Sequence, residues 1–184
     1  MLLHMKFIII LYICKATPSG LTMKLSIIFA LFFILSGGIV QGKNLKQNFD
    51  RLAFYAVMAS GKMEDVNEEL ILLNSASISE KEAYEGALMM RKAGLVKIPA
   101  EKLKFFKKGR IKLETALLKD SSNGEYHFLR LTIQEHAPKI VKYRAELETD
   151  KQYIKRSFKN LSPVVQQAII DYSKNSKILH PQDL

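Results

Sequence analysis

Cysteine is the scarcest reactive residue in this chain: there is one, Cys14, and it lies in a stretch that reads as a leader. A domain without cysteine can neither staple itself with disulfides nor run thiol chemistry, so its stability must come from packing. Ile13 precedes Cys14 where a lipid-attachment signal carries Gly, Ala or Ser, which argues against a lipid anchor there. Catalytic signatures are missing as well. No HExxH occurs, and His127 and His136 stand nine apart with no second pair, unlike the spacings of zinc sites. Gly61-Lys62 is followed by Met63 and lacks the earlier glycine of a phosphate loop. There is no nucleophile elbow and no glycine-rich dinucleotide turn. These absences point to no metal, no cofactor and no enzyme.

Acidic residues are the other shortage, with 18 Asp and Glu against 28 Lys and Arg and a net charge of +10. Such a balance speaks about anionic surroundings, not about fold. Of what is present, an apolar block comes first. Met23 and Lys24 lead into Leu25 to Leu35, followed by Ser36, Gly37 and Gly38, with small residues Val40 and Gly42 beyond. A short basic region, an apolar run and a small-residue exit make a secretory signal peptide over 23–42. Residues 1–22 then read as an extension upstream of the true start, Met23. The alternative is an uncleaved anchor over 25–41, but a span needs about 17 to 25 apolar residues and this run is shorter. Cleavage near Lys43 removes Lys6, Lys15 and Lys24, so the exported chain, periplasmic or released, keeps a charge of +7.

The remainder is expected to be one domain, 43–174, with a frayed, flexible tail over 175–184. Hydrophobic spacing predicts an all-α fold, an array of seven to eight short helices packed as hairpins. The first runs from Leu45 to Ala59 with Phe49, Leu52, Ala53, Ala56 and Val57 inward, and Gly61 is its left-handed cap. The second, Met63 to Leu73, turns Val66, Leu70 and Leu73 inward and loads Glu64, Asp65, Glu68 and Glu69 on its first half. Ser79 with Glu82 forms a capping box for the third, which Gly94 ends. Pro99 opens the fourth, with Leu103, Phe106, Leu113 and Leu117 as its core stripe and Lys104, Lys108, Lys112 and Lys119 opposite. Gly86 and Gly109 fall inside helices, where each costs about 1 kcal/mol relative to Ala, so either a neighbouring helix approaches closely there or the boundaries are different.

Ser122 with Glu125 makes a capping box for the next helix. Its start is ambiguous, because Leu129, Leu131 and Ile133 alternate as in a strand while Tyr126, Leu129, Ile133 and Ala137 match a helix. With no partner strand in the chain, helix is the reading for 125–133. Pro138 then starts a helix through Glu148, Asp150 caps another, and Ser162 with Pro163 opens the last.

The run Ala116-Leu117-Leu118-Lys119-Asp120-Ser121-Ser122-Asn123-Gly124-Glu125 resembles the junction between tetratricopeptide repeats, with Ser121 where that repeat has Pro. The helix starts are unevenly spaced, so no period of about 34 residues runs through the chain. The resemblance implies helical hairpins that bind protein partners. Phe128, Leu129, Arg130, Leu131, Ile133, Gln134, Glu135, Ala137 and Pro138, with Tyr143 and Asp150, also resemble small exported helical proteins of bacteria to which no activity is assigned.

Two groups of residues are candidates for a site. Arg130, Gln134 and Glu135 can form a polar pocket beside Tyr126, or Arg130 can pair with an acid to fix helix packing; Arg130, Glu135 and His136 are the residues an enzyme would have to use. The basic cluster Lys97, Lys102, Lys104, Lys107, Lys108, Arg110 and Lys112, interrupted by Glu101 alone, is either a solvated helix face or a contact for anionic lipid or lipopolysaccharide headgroups through Lys104, Lys108, Lys112 and Lys119. Export and the lack of a recognised module disfavour nucleic acid. The expected function is non-enzymatic contact with a protein partner, with binding to an anionic membrane surface as the alternative.

Overall fold

The computed structural model describes residues 49–184. The expected extension 1–22, the leader 23–42, the anchor alternative 25–41 and the expected helix start at Leu45 lie outside the described residues. Within them the chain is all-α. The helices are α1 (Arg51–Ser60), α2 (Met63–Ser75), α3 (Lys81–Leu95), α4 (Pro99–Lys119), α5 (Gly124–His136), α6 (Leu147–Ser157) and α7 (Pro163–Ser173), with 3-10 turns at Lys139–Val141, Phe158–Asn160 and Pro181–Asp183. No helix among the described residues is long and apolar enough to cross a membrane.

The Asp50 carboxylate caps α1 by accepting from the Leu52 N–H at 2.8 Å, and Gly61 ends it at φ +67°, the conformation glycine adopts without penalty. The buried face matches the expected one at Phe49 and Val57, which pack against the core, and differs elsewhere. Phe54 is fully buried and Tyr55, Val57 and Met58 are half-buried, whereas Leu52, Ala53 and Ala56 point outward. Aromatic and long side chains remove more apolar area from water than alanines do, so the bulkier set goes inside.

In α2, Val66 and Leu73 are buried as their spacing predicts, but Glu69 is buried with them. Helix α3 begins one residue later than the expected box would place it: Ser79 Oγ donates to the Glu80 carboxylate at 2.8 Å, and the helix runs through Gly94 to Leu95. Helix α4 buries Phe106, Leu113, Ala116 and Leu117 and leaves Leu103 half in water. Its backbone comes very near that of α3. A Cβ on Gly86 would lie 2.6 Å from the Leu113 backbone N, and one on Gly109 would lie 2.5 Å from the Gly86 carbonyl oxygen. The two mid-helix glycines mark this crossing, where backbone meets backbone.

Helix α5 is the central element. Gly124 to Leu131, Ile133 and Gln134 are all buried, so the helix is enclosed on nearly every side. A helix hidden all round carries apolar residues at positions that a one-sided stripe would leave polar, which is why its letters also fit a strand. Tyr126, Leu129 and Ile133 join the apolar core of α1 to α4, built on Phe54, Tyr84, Leu88 and Leu113. Phe128 and Leu131 join a second core with Ile154, Val165, Ile169 and Leu179. Its cap is Asn123, whose Oδ1 accepts from Glu125 N and Tyr126 N; the expected Ser122–Glu125 box does not form, because the Glu125 side chain turns inward.

Three further expectations give way. The helix expected from Pro138 through Glu148 is a single 3-10 turn, and Lys142 at φ +48° breaks the chain direction so that Tyr143 enters the core against Phe106. Asp150, expected as a cap, sits inside α6 and is fully buried. The segment 175–184, expected to be frayed, places Leu179 fully in the second core, and Lys151 and Lys155 pair with Asp183 at 2.8 and 3.1 Å.

The crossing predicts opposite signs for two Gly-to-Ala changes. Gly86→Ala should destabilise by about 1–3 kcal/mol net of its better helix propensity. Gly94→Ala, whose Cβ would meet nothing within 4 Å, should stabilise by up to about 1 kcal/mol. Urea unfolding of both variants checks the pair.

Candidate functional site

The chemistry-bearing side chains gather around α5 in three groups. At its first turn the Glu125 carboxylate accepts from Tyr55 Oη of α1 at 2.8 Å and Tyr84 Oη of α3 at 2.7 Å. Arg51 of α1 donates through Nε to Tyr84 Oη at 2.6 Å and pairs through Nη2 with Glu80 at 2.6 Å. Burial pushes both phenols well above their ordinary range, and the Glu125 charge adds to it. Tyr126, beside them, is pushed up to about 12, again chiefly by burial.

One turn further along, Asp150 of α6 receives two partners from α5. His127 Nδ1 lies 2.6 Å from Oδ1, and Arg130 grips the carboxylate through Nη2 at 2.6 Å and Nε at 2.9 Å. Arg130 Nη1 reaches Glu114 of α4 at 2.9 Å, and Tyr143 Oη donates to the other oxygen of Glu114. Burial works against the Arg130 charge, but the Asp150 and Glu114 contacts outweigh it and hold the guanidinium above its ordinary value. A His–Asp pair is the arrangement by which a carboxylate orients a general base. Here the nitrogen that would act, Nε2, faces the Ser121 carbonyl oxygen at 2.9 Å, and the ring stacks on Tyr153 at 3.9 Å between centroids. Both nitrogens are engaged inside the protein, so the geometry is that of a tie between α4, α5 and α6.

Glu135 faces elsewhere. It accepts from Tyr172 Oη, from Ser176 Oγ at 2.6 Å and from the Lys177 N–H at 2.6 Å, fastening the segment after α7. Burial opposes its ionised form, but the bonds from Ser176, Tyr172 and Lys177 prevail and lower its pKa. The three residues expected to share a pocket therefore separate. Arg130 turns to Asp150 and Glu114, Gln134 donates to Glu146 at 2.8 Å with its Oε1 unpartnered, and Glu135 holds the C-terminal segment. His136 is exposed and bonded to the Thr132 carbonyl, and no group of three or more His, Cys, Asp or Glu among the described residues could hold a metal ion.

The lysine ridge also divides. Lys112 pairs with Glu85 at 2.7 Å and Lys119 with Glu82 at 2.6 Å, both tying α4 to α3. Lys104 and Lys108 are exposed and have no ion-pair partner among the described residues. Sequence spacing missed Glu125 with its two tyrosines and Asp150, because partners 20 to 70 residues apart leave no local mark. No family model, curated protein or solved structure matches this chain.

Two tests follow. Asp150→Ala strands the Arg130 guanidinium and the His127 ring, and should cost about 3–5 kcal/mol, read as a lower urea midpoint at unchanged slope. The second concerns Glu69, whose pKa burial raises with help from Asp50. A raised carboxyl pKa means the fold prefers the protonated form. Its stabilising contribution is complete below the ordinary value and is lost as pH rises through the folded one. Glu69→Gln should therefore raise the thermal midpoint at pH 7 and leave it unchanged near pH 4.

Proposed function

We propose that this chain is an exported, non-enzymatic helical domain that docks a protein partner through the outer face of α1. The observation that carries this is the uncharged surface of Leu52, Ala53, Ala56 and Ala59, which are exposed while the same helix buries Phe54. Leu52 is 63% exposed. Small residues let a second helix approach closely, and an exposed apolar face fits an apolar partner better than water. The engagement of His127, Arg130, Asp150 and Glu125 with one another supports a structural rather than a catalytic use of its buried polar groups. The hairpin of α4 and α5 around the Asp120 to Asn123 turn is consistent with the tetratricopeptide-like junction in its sequence. Export rests on the leader-like layout of 23–42.

A photoreactive side chain placed at position 56 should yield one discrete protein adduct in envelope extracts, and Ala53→Glu in the same background should abolish it with the circular dichroism unchanged. The same probe at position 68, exposed on α2, should yield none. No adduct at 56, or the same adduct at both positions, would overturn the reading.

A further inference from the structure

Helix α4 carries a second outward surface, independent of α1. At roughly 100° per residue, Lys104, Lys107, Lys108, Ile111 and Leu118 fall on the side opposite its buried stripe. All five are exposed, Ile111 at 67% and Leu118 at 85%. The loop after α5 lies along one edge of this surface. Tyr143 packs edge-on against Phe106, Arg110 sits 4.7 Å over the Tyr143 ring, and Tyr143 Oη bonds Glu114, which are residues on the side of α4 that leads round to Lys107 and Ile111. That loop exposes Lys139, Lys142 and Arg144 together with Ile140, the last at 88%. None of these six cations has an ion-pair partner among the described residues, in contrast to Lys112 and Lys119, whose charges are spent on α3.

We propose that this face docks on an anionic phospholipid bilayer, with the lysines at the headgroup phosphates and Ile111, Leu118 and Ile140 entering the boundary with the acyl chains. Two features decide the occupant. Unpaired cations call for an anionic surface, and each contributes attraction that falls off within a Debye length. The branched aliphatic side chains between them have nothing to gain from a polyanion dissolved in water. A lipid interface offers phosphate and hydrocarbon within one side-chain length, and lysine stems can span the two.

The sequence has no tryptophan, so Ile111→Trp supplies a single indole reporter at an exposed position. The protein is taken as recovered from cells expressing the whole chain, and the signal at position 111 reports this face whatever the state of the N-terminus. Vesicles containing phosphatidylglycerol should shift the emission to the blue, and pure phosphatidylcholine vesicles should not. Lys104→Gln with Lys108→Gln should weaken the titration by about 25-fold, taking about fivefold per cation, and raising salt should weaken it further. The same charge change at Lys159 and Lys174, in the turn before α7 and just past its end, should alter it less than twofold. An unshifted emission with anionic vesicles, equal shifts with both lipids, equal losses from the two pairs of lysines, or an equal shift with heparin in place of vesicles would each overturn the proposal.

Discussion

Enclosing α5 on nearly every side is the constraint from which the other contacts follow. A helix with so little wet face has nowhere to put Glu125, His127, Arg130 and Gln134 except against partners from other elements, since an unpaired buried charge or amide is costly. Each therefore becomes a tie: Glu125 to α1 and α3, His127 and Arg130 to α6, Arg130 again to α4, Gln134 to the turn before α6. The apolar residues of α5 do the same in a different currency, serving one core on the side of α1 to α4 and another on the side of α6 and α7.

These polar ties are better understood as choosing an arrangement than as adding net stability. The desolvation of a buried ion pair offsets most of its attraction, while a wrong partner leaves the whole penalty unopposed. A rotation of α5 by one residue would take Arg130 from Asp150 and Glu125 from Tyr84 together. The α3–α4 crossing is selected in a similar way, because only Gly86 facing Gly109 lets the two backbones come so near. Lys112 and Lys119 then fix the azimuth of α4 against α3, which in turn decides that Lys104 and Lys108 face out.

Much of the architecture was legible in the letters. Pro99, Gly61, the core stripes of α2 and α4 and the helical state of 125–133 follow from local rules. What local rules could not supply was competition. In α1 two apolar sets overlap, and volume rather than spacing selected Phe54 over Ala53 and Ala56. After Pro138 the spacing allowed another helix, but Tyr143 had a pocket under Phe106 and Glu114 that a continuous helix could not have reached. The buried polar groups were harder still: Asp150 and Glu125 looked like a cap and half of a capping box, roles defined within four residues, while their partners came from other helices.

The second coat of α5 has a consequence for how the molecule is made. Phe128 and Leu131 are sheltered by Val165, Ile169 and Leu179, so α5 is synthesised well before half of its shelter exists. A chain made from its N-terminus exposes that side of α5 until residue 179 has been added. During the interval it offers an oily flank to any holdase nearby. A pause in synthesis between residues 136 and 179 would prolong that vulnerable stage.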